Sequence, residues 1–334
     1  MASAEAVAML EERVAKVPEQ ITATLALQAP TVPREASRWI TAGVGSSEGP
    51  ARLLASLLRH GGSWAEYAPL SAFAVDPTPR GDVCVLFSQS LSPNARLVLR
   101  ARERFRDVIV VSSIASDHPL GAELVRRGAL LVTHGPAEER GMLLRVLGST
   151  AACVVASRLA CAAIAERQGH EPPWSVHLSR LAQVVAQAAC PAAPLHPRLV
   201  LVSAEEDPRT FEGLRLKIVE GLGRDAVVVD VCAIAHGPLQ SFWDEPATIV
   251  TLESAGDRAR DLFDRLASVL RPHHQLIRLV ATLAAPLDYF EHAAMLDHFV
   301  LAALRARPRD LSEWPGKGHD GALYDVGQDV LDER

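Results

Sequence analysis

The chain has 334 residues, 49% of them hydrophobic, and a formal net charge of −6. That length fits two domains of ordinary size, with apolar residues enough for a core in each. A mildly acidic chain without a basic run lacks the electrostatic footprint of a nucleic-acid-binding protein.

MASAEAVAMLEERVAK opens the chain as an amphipathic helix rather than a secretion signal. SRWITAG reads as a strand that leads through a turn into a helix near Glu48 to Arg59, stopped by Gly61 and Gly62. DVCVLFS (82–88) and DVIVVSS (107–113) are continuous apolar runs, as parallel strands covered on both faces require. SPNARLVLRARERF between them is predicted helical. Leu120 to Arg127 is the next helix, ALLVT (129–133) the next strand, and two Ala-rich helices follow at 138–167 and 175–190. The apolar stretch Leu147 to Ala165 is interrupted by Arg158 and reads as a buried helix, not a membrane span.

CPAAPLHP (190–197) is the linker candidate, which divides the chain into domains 1–192 and 193–334. Beyond it the rhythm restarts. Strands are predicted at 199–204, 226–231, 247–253 and 276–282, with helices at Thr210 to Leu222, 256–270 and 288–306. Two βαβ series in succession imply two parallel-sheet α/β domains of similar plan, with ligands at the carboxyl ends of the strands.

Three polar clusters fall at such ends. Gly43-Val44-Gly45-Ser46-Ser47 can receive an anion through its backbone and hydroxyls, or Ser46 or Ser47 can simply cap a helix. Ser88-Gln89-Ser90-Leu91-Ser92-Pro93-Asn94 offers three hydroxyls and an amide in its first five positions, more than a cap needs, and Pro93 suits a first helical position. His134-Gly135-Pro136-Ala137-Glu138-Glu139 reads equally well as a turn followed by an acidic first helical turn.

The second half carries a carboxylate and an imidazole: Glu220, then fifteen residues, then His236-Gly237-Pro238. A glutamate can move a proton between adjacent carbons, and a histidine with a pKa near ~6.5 can open a sugar ring at neutral pH. Each also has a structural reading, Glu220 as a solvated helix residue and His236 as part of a capping loop. Only three lysines occur, Lys16, Lys217 and Lys317. Chemistry that needs an amine able to lose its proton must use one of them. The five cysteines, Cys84, Cys153, Cys161, Cys190 and Cys232, form no CxxC pair and read as buried thiols of a reducing, cytoplasmic compartment. His273, His274, His292 and His298 do not converge as a metal site, and Asp320 to Arg334 reads as a solvated tail.

The order GxGSS, SQS, GP with acidic residues, KxxE and HGP resembles the sugar isomerase (SIS) domain family in its tandem form. The similarity runs over roughly residues 9 to 325 and is closest to the isomerase half of glucosamine-6-phosphate synthase, to SIS-type glucosamine-6-phosphate deaminases and to fructosamine-phosphate deglycases. It implies two tandem SIS domains and no cofactor. It places Ser46, Ser47, Ser88, Gln89, Ser90 and Ser92 at the sugar phosphate, Lys217 near the sugar, Glu220 at the proton transfer, and His236 at ring opening, donated across a homodimer interface. Lys317 lies near the family's tail lysine, out of register. Either Leu91 stands where the family has glycine or the loop is one residue shorter; leucine is expected to exclude a positive φ, so the cradle is expected to be reshaped or specialised for another group. The implied activity is isomerisation coupled to deamination of an amino-sugar phosphate such as glucosamine 6-phosphate, without a glutaminase domain. Deglycation of a fructosamine phosphate and non-catalytic sugar-phosphate binding are the alternatives.

Overall fold

The computed structural model describes residues 3–75, 78–135, 139, 141–190, 193–204, 208–256 and 259–331. The chain starts with two helices, α1 (Ser3–Ala15) and α2 (Val17–Leu25), and the first strand is β1 (Arg38–Ala42). Then come α3 (Glu48–His60), β2 (Trp64–Tyr67), β3 (Gly81–Phe87), α4 (Leu97–Arg100), β4 (Phe105–Ser112), α5 (Pro119–Arg126), β5 (Leu130–Thr133), α6 (Leu147–Gln168) and α7 (Leu181–Ala186). The second series is β6 (Arg198–Ser203), α8 (Glu212–Leu222), β7 (Ala226–Asp230), α9 (Pro238–Ser241), β8 (Ala247–Ser254), α10 (Arg260–Val269), β9 (His274–Ala281), α11 (Asp288–Ala306) and α12 (Gly321–Tyr324).

The strands form two all-parallel sheets, β2-β1-β3-β4-β5 and β7-β6-β8-β9. The expected class, two α/β layers each with a parallel sheet flanked by helices, is borne out. Contacts divide the chain into two compact units. One gathers Met1–Pro18, Gly141–Leu144 and Arg180–Trp314 around the second sheet. The other gathers Glu19–Arg140, Arg145–Ser179 and Pro315–Arg334 around the first.

In the five-stranded unit the central strands bury alternate residues on opposite faces. Ile40, Ala42, Cys84, Leu86, Val108 and Val110 join one core cluster, closed by Leu70, Phe73, Leu91 and Leu97 from the connections. On the other face α3 and α6 pack on each other and on β1, β3 and β4. By length and hydropathy α6 could cross a membrane, but 83% of its apolar window is buried inside the protein, as for a core helix. In the four-stranded unit α8 and α11 pack on each other, and α11 also holds α1 and α7.

Several local expectations need correction. β2, a four-residue edge strand reading WAEY, carries too little apolar pattern to be seen in the sequence. The stretch after Ser92 is not one helix but a 3-10 turn (Pro93–Arg96), the single turn α4 and a second 3-10 turn (Arg102–Arg104). The helix expected from 138 begins only at Leu147, and 175–190 is largely a 3-10 segment (Pro173–Arg180) followed by the short α7. Of the cysteines, Cys84, Cys153 and Cys161 are buried, whereas Cys190 is half-buried and Cys232 exposed; all are free thiols. The acidic tail is not simply solvated. Val330 is 2% exposed, Arg100 pairs with Asp329 at 2.8 Å, and Arg127 donates to the Val330 carbonyl at 3.0 Å. Gly327 lies so close to the Pro93 carbonyl that a Cβ there would overlap it.

Candidate functional site

In the first sheet the chain leaves β1 toward β2 on one side, while β3 opens the run β3-β4-β5 on the other. Such a reversal of strand order leaves a crevice beyond the strand ends, where ligands of this architecture bind. β1 and β3 are direct neighbours, with Ala42 opposite Leu86, so the turns that follow them meet at that crevice. Those turns are two of the three polar clusters.

After β1, Gly45–Ser47 makes a 3-10 turn into α3. Gly43 must be glycine, since a Cβ would overlap the Ser47 carbonyl, and its own carbonyl accepts from the Tyr67 hydroxyl at 2.8 Å. Burial raises the Tyr67 pKa, so the phenol stays a donor. Ser47 occupies the N-cap of α3 but makes no side-chain capping bond. Capping therefore does not account for it. Ser46 is half-buried and Ser47 buried, and neither hydroxyl has a protein partner among the described residues.

After β3, the Ser88 N–H donates to the Val111 carbonyl at 3.0 Å. The Gln89 carbonyl accepts from the Ser112 and Ser113 hydroxyls at 2.8 and 2.7 Å. These bonds pin the loop to the end of β4. The Ser88 and Ser90 hydroxyls form no hydrogen bond among the described residues, while Ser92 Oγ donates to Asn94 Oδ1 at 2.8 Å. Pro93 starts the following 3-10 turn, as expected. The Gln89 amide nitrogen is fully buried with no hydrogen-bond partner. It lies over Gly148, where any Cβ would overlap it.

Leu91 overturns the expectation about its backbone. It adopts φ 50, the left-handed conformation glycine would supply, and its side chain is 0% exposed in the core. The left-handed conformation costs an L-residue roughly 1–2 kcal/mol, and burying a leucine returns about 1.5–3 kcal/mol. Leu91 thus holds the left-handed turn and anchors the loop from beneath.

The third cluster behaves differently. Pro136, Ala137 and Glu138 lie outside the described residues. His134 is 1% exposed, and burial lowers its pKa to about 4. Glu139 is not in a first helical turn. Its carboxylate accepts from the N–H groups of Val146, Leu147 and Gly148 at 2.6, 2.8 and 2.7 Å and so caps α6 from outside. The positive end of that helix is spent on the protein's own anion. Neither this cap nor Gly148 was found in the sequence, where the loop between Glu139 and α6 hides their proximity.

The other candidates belong to the four-stranded unit, except Lys317. On α8, Leu214, Lys217, Ile218 and Gly221 form the buried stripe. Lys217 is 6% exposed, and its Nζ lies 2.6 Å from Asp297 Oδ1 of α11. Asp297 was also missed; its signal is a lone acid within the apolar run of α11. Glu220 is half-buried one turn beyond Lys217. His236 is exposed and ends a 3-10 turn (Ala233–Ala235), with its N–H donating to the Ala233 carbonyl at 2.9 Å. Gln240 braces that turn, accepting from the Gly237 N–H and donating to the Ala235 carbonyl, both at 2.9 Å. Lys317 is exposed between Gly316 and Gly318 in the five-stranded unit, which also holds all the serines and Gln89. No group of three or more His, Cys, Asp or Glu side chains among the described residues is placed to hold a metal ion.

No family model and no curated protein sequence matches the chain. Solved structures do share its fold. The tagatose-6-phosphate ketose/aldose isomerase of Escherichia coli is 17% identical with a TM-score of 0.69, covering 91% of this chain and 94% of its own. The C-terminal domain of glucosamine-fructose-6-phosphate aminotransferase from Francisella tularensis is 13% identical with a TM-score of 0.68, over 90% and 97% of the two chains. Glucosamine-6-phosphate deaminase from Thermotoga maritima is 14% identical with a TM-score of 0.63, over 93% and 97%. At these identities the likeness establishes the phosphosugar-isomerase fold.

Proposed function

We propose that the chain is an enzyme acting on a sugar phosphate, and that the turns after β1 and β3 hold the phosphate. The observation that carries this reading is a set of unspent donors at the strand-order reversal of the first sheet. The Ser47, Ser88 and Ser90 hydroxyls make no bond among the described residues, and the Gln89 amide nitrogen is buried without a partner. A buried donor left unsatisfied costs about 1–3 kcal/mol, and a phosphate oxygen would relieve that cost. Ser46 and Ser92 border the same turns. Each of the three similar structures is named for a sugar 6-phosphate, which supports the same substrate class.

The reaction we favour is isomerisation coupled to deamination of an amino-sugar phosphate, glucosamine 6-phosphate being the first to try. His236, supplied by a second copy of the chain, passes the anomeric hydroxyl proton to the ring oxygen, and the ring opens to an aldehyde. Glu220 takes the proton from C2, giving an enolamine, and returns a proton to C1. The product is a C2 imine, to which water adds; ammonia then leaves and a ketose phosphate remains. General acid–base transfer of this kind contributes typically ~10²–10⁴-fold. Lys217 steadies the developing enediol charge, and Lys317 lies near the place of the family's tail lysine. Release of an amino acid from a fructosamine phosphate would use the same pair of groups.

A second reading, non-catalytic sugar-phosphate binding, draws on one finding: the Lys217 ammonium already has a buried partner in Asp297. The two separate by turnover. The protein is incubated with glucosamine 6-phosphate, and with fructose 6-phosphate plus ammonia, while ammonia and ketose are followed. Turnover that Glu220→Gln abolishes without loss of binding supports the enzyme. Full activity in that variant removes Glu220 from the mechanism, and binding without turnover favours the second reading.

A further inference from the structure

Two helices of the four-stranded unit, α8 and α11, end beside one cavity of about 380 Å³, next to the start of the second βαβ series. Leu195, Leu222 and Leu304 give it an apolar floor, and three arginines, Arg224, Arg307 and Arg309, line it. Arg224 is partly engaged, donating to the carbonyls of Leu195 and His196 at 3.3 and 3.1 Å. Arg307 is exposed and Arg309 half-buried, and neither has a hydrogen bond or ion pair with any described residue. The Arg309 guanidinium lies over Gly223, where a Cβ would overlap it. The nearest acid in sequence, Asp310, is already bound by the Ser312 N–H and hydroxyl at 2.8 and 2.6 Å.

The charge balance decides what such a cleft can hold. A helix C-terminus carries about −0.5 of a unit charge. The two ends together therefore offset about one of the three positive charges. What remains is a surplus of about two, on planar forks that match phosphate geometry. A monocarboxylate leaves half of that surplus unmet, whereas a dianionic phosphate ester meets it. The volume falls in the range of small-ligand sites, ~300–1,000 Å³, and exceeds what a bare phosphate fills. The leucines then have an organic body to cover.

We propose that this cleft is a second binding site, for a phosphomonoester with a compact apolar body. It shares no residue with the proposed cradle after β1 and β3 and does not depend on it. Its ligand grips the ends of α8 and α11 together, and α8 is the helix that carries Lys217 and Glu220.

The test is calorimetric titration of the full chain with phenyl phosphate, with inorganic phosphate and benzoate as comparisons. The wild-type chain is expected to bind phenyl phosphate more tightly than either. Arg307→Gln with Arg309→Gln should weaken it at least tenfold at a site that Ser47→Ala with Ser88→Ala leaves intact. Arg307 is exposed, so Arg307→Gln alone reads the same site if the double variant does not fold. Unchanged binding in the arginine variants, loss only in the serine variant, or benzoate binding as well as phenyl phosphate would each overturn the proposal. Loss only in the arginine variants upholds this cleft, and glucosamine 6-phosphate binding in the serine variant tests the cradle separately.

Discussion

Lys217 of α8 and Asp297 of α11, eighty residues apart in the chain, meet at 2.6 Å with side chains only 8% and 2% exposed. The pair lies inside the packing between the two helices. Removing one partner strands a buried charge, which costs about 3–5 kcal/mol, whereas replacing both with apolar groups of similar size is often neutral or stabilising. Asp297→Ala should therefore lower the unfolding free energy by about that amount. Lys217→Met combined with Asp297→Leu should recover most of it, and denaturant titration of the three variants checks the order. If the double replacement also recovers turnover, Lys217 is a positioning residue rather than a catalytic one.

Leu91 yields an ordering. Leu91→Ala keeps the left-handed backbone and empties the core position, a loss of about 2–5 kcal/mol. Leu91→Gly empties the same position but relieves roughly 1–2 kcal/mol of backbone cost. Thermal melts should rank wild type above Leu91→Gly and Leu91→Gly above Leu91→Ala. The reverse order of the two variants would mean that the backbone carries no strain there.

Gly148 and Gln89 give a binding test. A methyl at 148 must push the Gln89 amide aside, and that amide is the flexible end of a side chain. Gly148→Ala is expected to destabilise by about 1–3 kcal/mol, the cost of overpacking a buried site, while weakening phosphate-ester binding at the cradle about tenfold, the loss of one hydrogen bond to a charged group. Calorimetry beside a melting curve separates the two effects.

His134 and His292 make the fold acid-sensitive. Burial holds them at about 4 and about 3, against 6.5 for the free side chain. Below about 6.5 the unfolded chain binds protons that the folded chain refuses, so stability falls with pH until those lower values are reached. Asp82, held low first by the Ser37 N–H, has the opposite sense: its contribution is present above 3.8 and is lost only at lower pH, outside this window. Between pH 7 and 5 the unfolding free energy should drop by on the order of 2 kcal/mol for each histidine. His292→Leu should remove about half of that drop, read by denaturant titration at the two pH values.

The parts of the fold legible in the sequence are those in which one segment states its own case. β3, β4 and β6 hold unbroken apolar runs at 83–87, 108–111 and 199–202, as parallel strands covered on both faces require, and α11 was placed at its observed ends, Asp288–Ala306. The serine turns were legible because polar residues crowd two strand ends. What stayed hidden depends on distant partners. Glu139 looks like a first-turn acid until α6 is seen to start at Leu147. The Leu91 backbone is rescued by a core built from other segments, and Lys217 looks free until α11 brings Asp297 to it. Local pattern carries no information about such meetings.

The backing of the Ser88–Ser92 loop comes from far downstream. Gly327 seats against Pro93, and Asp329 and Val330 hold Arg100 and Arg127, more than two hundred positions earlier in the chain. During vectorial synthesis the ribosome must make all of the second sheet before the first receives this support. A nascent chain therefore carries this loop unbraced for most of translation. Closing contacts of such long sequence separation is slow, so this corner of the molecule should be among the last to become native.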